Sequence, residues 1–183
     1  MNIALSQLTD GDNKLYYDDK HDPWIDAELR KKLATDEVPT VGPFIIDVTL
    51  TKLEPDFVIR GTITFTAKLE CGRCTEAVEL PFKHPFAVAL TPLATGRSVS
   101  QAEAALDAKA AEAADISVFD GHEIDLSAII HEQVCLALPY TILCRPDCKG
   151  LCAQCGSNRN TKACGCADKP VASPFAVLQK LKK

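Results

Sequence analysis

Between residues 41 and 92 apolar and polar side chains alternate almost without a break. Phe44, Ile46, Val48 and Leu50 are interleaved with Asp47, Thr49 and Thr51. Ile59, Ile63, Phe65 and Leu69 are interleaved with Arg60, Thr62, Thr64, Thr66, Lys68 and Glu70. Val78, Leu80 and Phe82 alternate with Glu79 and Lys83, and Phe86, Val88 and Leu90 resume the beat. A period of two belongs to extended chain, whose successive side chains leave opposite faces. One dry face and one wet face mark antiparallel pairing. Glu54-Pro55-Asp56 and Cys71-Gly72-Arg73-Cys74 supply the two turns. The expected class is α+β: an antiparallel β-meander sheet with a few short helices.

The flanks are less regular. Ile3, Leu5 and Leu8 suit a short strand or a docking segment. Asp22-Pro23-Trp24 offers a cap and a first-turn proline, so a short helix is expected over 23–33, with Trp24, Ala27 and Leu33 toward the body. Residues 116–119 suit another short strand. Asp125 is placed to cap a helix carrying Leu126, Ile129, Ile130 and Val134 on one side. Pro139 ends that element, and residues 134–138 fit helix and strand equally well. Residues 101–114 hold eight alanines, which favour helix but bury little, so 95–115 reads as an insertion. Ser173-Pro174 opens a last helix with Phe175, Leu178 and Leu181 on one side. The expected organisation is an N-terminal segment (1–40), a sheet body (41–143) and a C-terminal module (144–183).

That module is set apart by its cysteines. Cys144, Cys148, Cys152, Cys155, Cys164 and Cys166 form a C-x3-C-x3-C-x2-C-x8-C-x-C string. The chain has nine cysteines in all and shows no export signal, so clustered thiols point to metal rather than to a disulfide framework. Cys152 and Cys155 can grip one ion together, and Gly156 permits the positive φ that turns amides toward sulfur. Zinc prefers a tetrahedron of thiolates, and Cys164 with Cys166 completes a set of four, for which Cys144 and Cys148 are the substitutes. No histidine lies beyond position 143, which suits a structural site that staples a small segment. An iron–sulfur cluster takes the same four thiolates and is the lesser expectation. Cys71 and Cys74 fit half a metal site, a redox pair or ordinary thiols, but the antiparallel flanks do not suit the redox reading. With Cys135 set aside as a buried core residue, eight cysteines suffice for two tetrathiolate sites. In the second, Cys71 and Cys74 share an ion with Cys144 and Cys148, pinning the module to the sheet.

Charge follows the same division. Residues 1–143 carry 12 Lys/Arg against 23 Asp/Glu, a net of −11. Residues 144–183 carry 8 against 2, a net of +6. Lys149, Arg159, Lys162 and Arg145 are thus candidates for phosphate contact with RNA, though a solvated surface explains them as simply. Phe175 is the only aromatic residue beyond position 143, so any RNA contact would rest on charge and shape rather than base stacking. No glycine-rich phosphate loop, nucleophile elbow or metal-spaced histidine pair is present, and no enzyme is expected. No small-molecule substrate is evident. With no apolar run long enough to span a bilayer, a cytoplasmic location without membrane attachment is expected.

Five stretches carry a likeness to a known family. They are Leu69-Glu70-Cys71-Gly72-Arg73-Cys74; Glu123-Ile124-Asp125-Leu126; Leu136-Ala137-Leu138-Pro139; Cys148-Lys149-Gly150-Leu151-Cys152-Ala153-Gln154-Cys155-Gly156 with Asn158 and Asn160; and Pro174-Phe175-Ala176-Val177-Leu178 with Leu181-Lys182-Lys183. In this order they resemble the YceD family, the large ribosomal RNA subunit accumulation proteins. The resemblance implies a non-catalytic bacterial or plastid-type factor needed for synthesis, processing or stability of 23S rRNA. Its implied partners are that RNA or a large-subunit precursor, and a ribosomal or processing protein. The competing expectation is a protein-interaction adaptor that touches no RNA. A thiol enzyme using Cys71 and Cys74 is a third class, whose sign would be a low thiol pKa.

Overall fold

The computed structural model describes residues 1–53, 56–92, 115–119 and 121–166. They fall into two compact units, Met1–Leu69 with Val78–Tyr140, and Glu70–Ala77 with Thr141–Lys183. The alanine-rich stretch and the expected helix with Phe175, Leu178 and Leu181 lie outside the described residues.

In the first unit the alternating runs form β3 (Thr40–Leu53), β4 (Asp56–Glu70) and β5 (Ala77–Pro92), neighbours in one sheet. β3 and β4 pair antiparallel, with Ile46 opposite Ile63, Val48 opposite Gly61 and Leu50 opposite Ile59. Matched phase places Phe44, Ile46, Val48 and Leu50 on one face with Ile59, Ile63 and Phe65, while Val58 is buried on the other with Ala89. Phe44 stacks on Phe65 and Phe65 on Phe82, at centroid separations of 5.7 and 5.0 Å, so one aromatic file crosses three strands. A bulge between Val41 and Ile45 shifts the register where Gly42 takes φ +66°. The result is an α+β protein on a mostly antiparallel sheet.

Several elements depart from expectation. An additional strand, β2 (Asp12–Asp18), pairs antiparallel with β3 at one end of the sheet order. Only Asn13, Leu15 and Tyr17 of its first six residues are even half-buried, so its alternation in sequence is faint. At the opposite end, β6 (Asp115–Phe119) pairs with β5 in parallel, not antiparallel as a pure meander requires. A parallel neighbour needs a crossover connection, which the long interval between Pro92 and Asp115 can supply. β1 (Asn2–Ala4) pairs with β7 (Glu123–Asp125), joining segments far apart in sequence.

The expected helix over 23–33 is wound differently. A π-helical turn (Ile25–Arg30) leads into α1 (Lys31–Thr35). Ile25, Leu29 and Leu33 are buried, whereas Ala27 is exposed and Trp24 half-buried. The wider winding carries the dry stripe in steps of four and moves it one residue past Trp24. Asp22 does not cap it: its carboxylate accepts from the Asp18 amide at 3.0 Å.

Helix α2 (Leu126–Leu136) follows β7 and buries Leu126, Ile129, Ile130 and Val134. Its cap is Asp125, whose carboxylate accepts from the Ala128 amide at 3.1 Å and the Ser127 hydroxyl at 2.7 Å. Burial alone raises the Asp125 pKa, but the Ser127 and Ala128 donors outweigh it and hold the carboxyl below its ordinary value. Asp125→Ala is expected to lose about 1 kcal/mol in urea melts at neutral pH. Because the folded pKa is depressed, the cap's contribution is present above the unfolded pKa. It is lost as pH falls through the folded one, so mutant and parent should converge in acid.

Candidate metal centres

In the second unit the two Cys-x-x-Cys segments build the same turn twice. At the β4–β5 connection the Cys71 amide donates to the Glu76 carbonyl at 2.9 Å, and the Thr75 amide to the Cys71 carbonyl at 2.9 Å. At the other, the Cys152 amide donates to the Ser157 carbonyl and the Gly156 amide to the Cys152 carbonyl, both at 2.8 Å. The residue after each second cysteine is left-handed: Thr75 at φ 59° and Gly156 at φ 68°. Glycine adopts this conformation freely, whereas a β-branched threonine is held there against its preference. Each turn faces its two sulfurs the same way, and each heads a separate cluster.

The first cluster unites Cys71 and Cys74 with Cys144 and Cys148, all four sulfurs lying within 4.8 Å of one another. Cys71 Sγ is 3.8 Å from Cys148 Sγ, and Cys74 Sγ is 3.6 Å from Cys144 Sγ. Four thiolates at about 2.3 Å from one zinc ion stand about 3.8 Å apart, so the spacing fits a filled tetrahedron. Cys71, Cys74 and Cys148 are buried and Cys144 is half-buried. The second cluster unites Cys152, Cys155, Cys164 and Cys166, again within 4.8 Å. It is the wetter of the two, with Cys155 exposed and Cys164 and Cys166 half-buried. Each cluster offers four protein sulfurs, the closed form of a structural site. The sequence left Cys144 and Cys148 either as substitutes within one set or as partners of Cys71 and Cys74. In space they stand with the hairpin pair.

The surrounding polar groups orient the sulfurs. Asn160 Nδ2 donates to Cys148 Sγ at 3.3 Å, and its Oδ1 accepts from the Lys149 amide at 2.8 Å. Asn158 Nδ2 donates to Glu76 Oε1 at 2.8 Å, while Cys74 Sγ stands 3.8 Å from Glu76 Oε2. The Arg73 amide, first among several donors, draws the Cys71 thiol down to about 6. The Ser157 hydroxyl leads in drawing Cys155 down to about 6, while the bond from Cys155 leads in pushing Cys166 up to about 11. Four crowded sulfurs cannot all surrender protons without a cation among them.

Backbone bonds lock the segments around the clusters. Leu151 N donates to Arg73 O and Arg159 N to Gly150 O, both at 2.9 Å, and Leu151 bridges Asn158 as one antiparallel rung. Gly150 has φ +70°, and a Cβ there would come within 2.9 Å of the Arg73 carbonyl oxygen. The cations singled out from sequence, Arg145, Lys149, Arg159 and Lys162, are all exposed in this unit. Arg145 lies 3.5 Å from Asp147. Arg73, exposed as well, belongs in sequence to the acidic 1–143 stretch, so the charge division does not single it out.

Cys135 is not the buried core residue expected. It is half-buried, with Sγ 4.0 Å from His131 Nε2, the nitrogen that also meets Asp36 Oδ2 at 2.6 Å. A nucleophile–base–orienter relay needs the two partners on different ring nitrogens, so this trio is not one.

Comparison with known proteins agrees with the motif likeness. An uncharacterized protein of Mycobacterium leprae is 30% identical over 121 residues, 64% of this chain and 49% of the relative. One of Mycobacterium tuberculosis is 33% identical over 111 residues, 61% of this chain and 49% of the relative. The chain thus spans about half the length of these relatives. A maize protein named large ribosomal RNA subunit accumulation protein YCED homolog 1, chloroplastic, is 44% identical over 48 residues, 26% of this chain and 16% of the relative. No solved structure matches. The family model described as large ribosomal RNA subunit accumulation protein YceD matches residues 59–182, which take in the hairpin, α2 and every cysteine of both clusters: the chain belongs to the YceD family.

Proposed function

We propose that the chain is a non-catalytic factor in the accumulation of large-subunit (23S) ribosomal RNA. In this reading each sulfur cluster holds a structural zinc ion, and the two ions shape a basic module that contacts rRNA or a precursor particle. The observation that carries it is the pair of closed four-sulfur clusters in the unit that also displays Lys149, Arg159 and Lys162 to solvent. The family description supplies the RNA, and closed sites suit scaffolding rather than chemistry. The acidic body, net −11 over residues 1–143, repels phosphate and suits a protein partner such as a ribosomal or processing protein. None of the nine cysteines is joined in a disulfide, which suits a reducing compartment such as the bacterial cytoplasm. Among the described residues no helix is long and apolar enough to cross a membrane.

The test is RNA binding followed against salt. The zinc-loaded chain should bind 23S fragments with an affinity that falls steeply as salt rises. Neutralising Lys149, Arg159 and Lys162 together should flatten the slope of log K against log[salt] by about 2–3. An affinity indifferent to moderate salt or to the triple change would dismiss phosphate contact. The adaptor reading draws on a different observation: Leu136 and Tyr140 are exposed, and Leu136 borders a 410 Å³ groove floored by Phe86 and Ala87. A protein partner recovered equally before and after nuclease treatment would favour it.

A further inference from the structure

We infer that Arg73 is a phosphate-contact residue for structured RNA, set on one basic ridge with Lys149 and Arg159 by the backbone bonds around the first sulfur cluster. This rests on the RNA reading above and adds to it a residue from the distant hairpin.

Three observations lead there. First, Arg73 reaches the ridge through its own backbone: its carbonyl accepts from Leu151 N at 2.9 Å, and the Gly150 carbonyl accepts from Arg159 N at 2.9 Å. Positions 73, 150–151 and 159 are therefore successive rungs, with Lys149 beside the middle one. The close approach needs glycine at 150, where a Cβ would press on the Arg73 carbonyl.

Second, the guanidinium is aimed. Arg73 Nη1 donates to the Cys148 carbonyl at 3.0 Å, yet the residue is exposed. One anchored N–H restrains the group. Among the described residues the remaining donors of the five meet no acceptor, and a planar fork matches phosphate oxygens in pairs. Little side-chain freedom is then left to lose on binding.

Third, these cations have no carboxylate partner among the described residues. Arg73, Lys149, Arg159 and Lys162 form no ion pair among the described residues, whereas Arg145 has Asp147. Glu76, three residues from Arg73, is engaged by Asn158 and Cys74. The described part of this unit, 70–77 with 141–166, contains no aromatic residue. Base stacking has no platform there, so the ridge suits the sugar–phosphate backbone of folded RNA rather than an unpaired strand.

The experiment uses the full zinc-loaded chain, a fluorescein-labelled RNA stem-loop and poly(U), with binding read by anisotropy over a salt series. Arg73→Gln should weaken stem-loop binding about fivefold and flatten the salt slope by about 0.7–0.9, the share of one phosphate. Arg73→Lys should keep the slope, and both variants should keep full zinc content. In the unmodified chain, bound stem-loop should shield Arg73 from phenylglyoxal, read by mass spectrometry, which requires no variant to fold. Tighter binding of poly(U) than of the stem-loop would overturn the structured-RNA claim. An unchanged slope in Arg73→Gln, or an unshielded Arg73 in an RNA-bound chain, would overturn the inference while leaving the RNA reading standing. Loss in Arg73→Lys equal to that in Arg73→Gln, with zinc intact, would reduce Arg73 to a brace for Cys148. If the parent chain binds neither RNA, the reading beneath fails and this inference falls with it.

Discussion

Stripping the metal from the zinc-loaded chain is expected to melt the second unit and leave the first folded. The reason is what each unit buries. The first closes over Phe44, Phe65, Ile25, Leu29, Ile46, Ile63, Leu126 and other large apolar side chains, each under 2% exposed. Among the described residues of the second, Ile142 and Leu143 are half-buried and Leu151 is 39% exposed. Its buried positions are Cys71, Cys74, Cys148, Gly150 and Cys152, so sulfur and backbone replace an apolar core. Such a segment cannot offset its chain entropy by burial. A structural zinc ion supplies about 10–16 kcal/mol of binding free energy at neutral pH, enough to decide folded against unfolded. Hydrogen exchange should show the amides of Leu151, Cys152, Gly156 and Arg159 losing protection on chelation, while β3 and β4 keep theirs. Acid should do the same, because each thiolate takes up a proton as the ion leaves. Cys74→Ser should reduce bound zinc from two ions per chain to one. A chelated chain that keeps those amides protected, or a parent that binds one ion with Cys74 irrelevant to it, would refute the two-ion account.

Gly61→Ala is expected to damage the first unit as severely and spare the second. Gly61 sits opposite Val48 in the centre of the β3–β4 ladder. An added Cβ would overlap the Asp47 carbonyl oxygen and a Val48 methyl, and would stand 3.1 Å from the Phe86 ring. A ring edge can turn aside, but a backbone carbonyl in mid-ladder cannot retreat without parting two strands. The expected loss is about 3 kcal/mol or more. Urea melts followed by the fluorescence of Trp24, the single tryptophan, should show it, since its ring meets Tyr17 edge-on at 5.6 Å within this unit. Zinc content should stay at the parental value. A melt unchanged from the parent would mean that β3 and β4 are not paired in this register.

The Gly61 effect illustrates how legibility divided. The alternation that marks β3, β4 and β5 is written residue by residue, because a half-buried strand must separate apolar from polar side chains at every step. A glycine within such a run announces a close approach but not its partner, which depends on register. Asp125 was legible as a cap for the same local reason: acceptor and amide lie three residues apart. The stripe of the first helix was misplaced because winding, not residue type, decides its phase. β2 and the parallel pairing of β6 escaped because each depends on a neighbour far along the chain.

Local chemistry, then, was enough to determine the strand phase, the two Cys-x-x-Cys turns and the presence of metal-seeking thiols, since each follows from neighbours a few bonds apart. A count of eight thiols offered the two-cluster sorting as one of two options; the choice between them, and the arrival of Arg73 beside Lys149 and Arg159, needed three dimensions. Coordination depends on sulfurs coming within about 4 Å of one another, and spacing within either segment carries no information about a distance that only the folded chain creates.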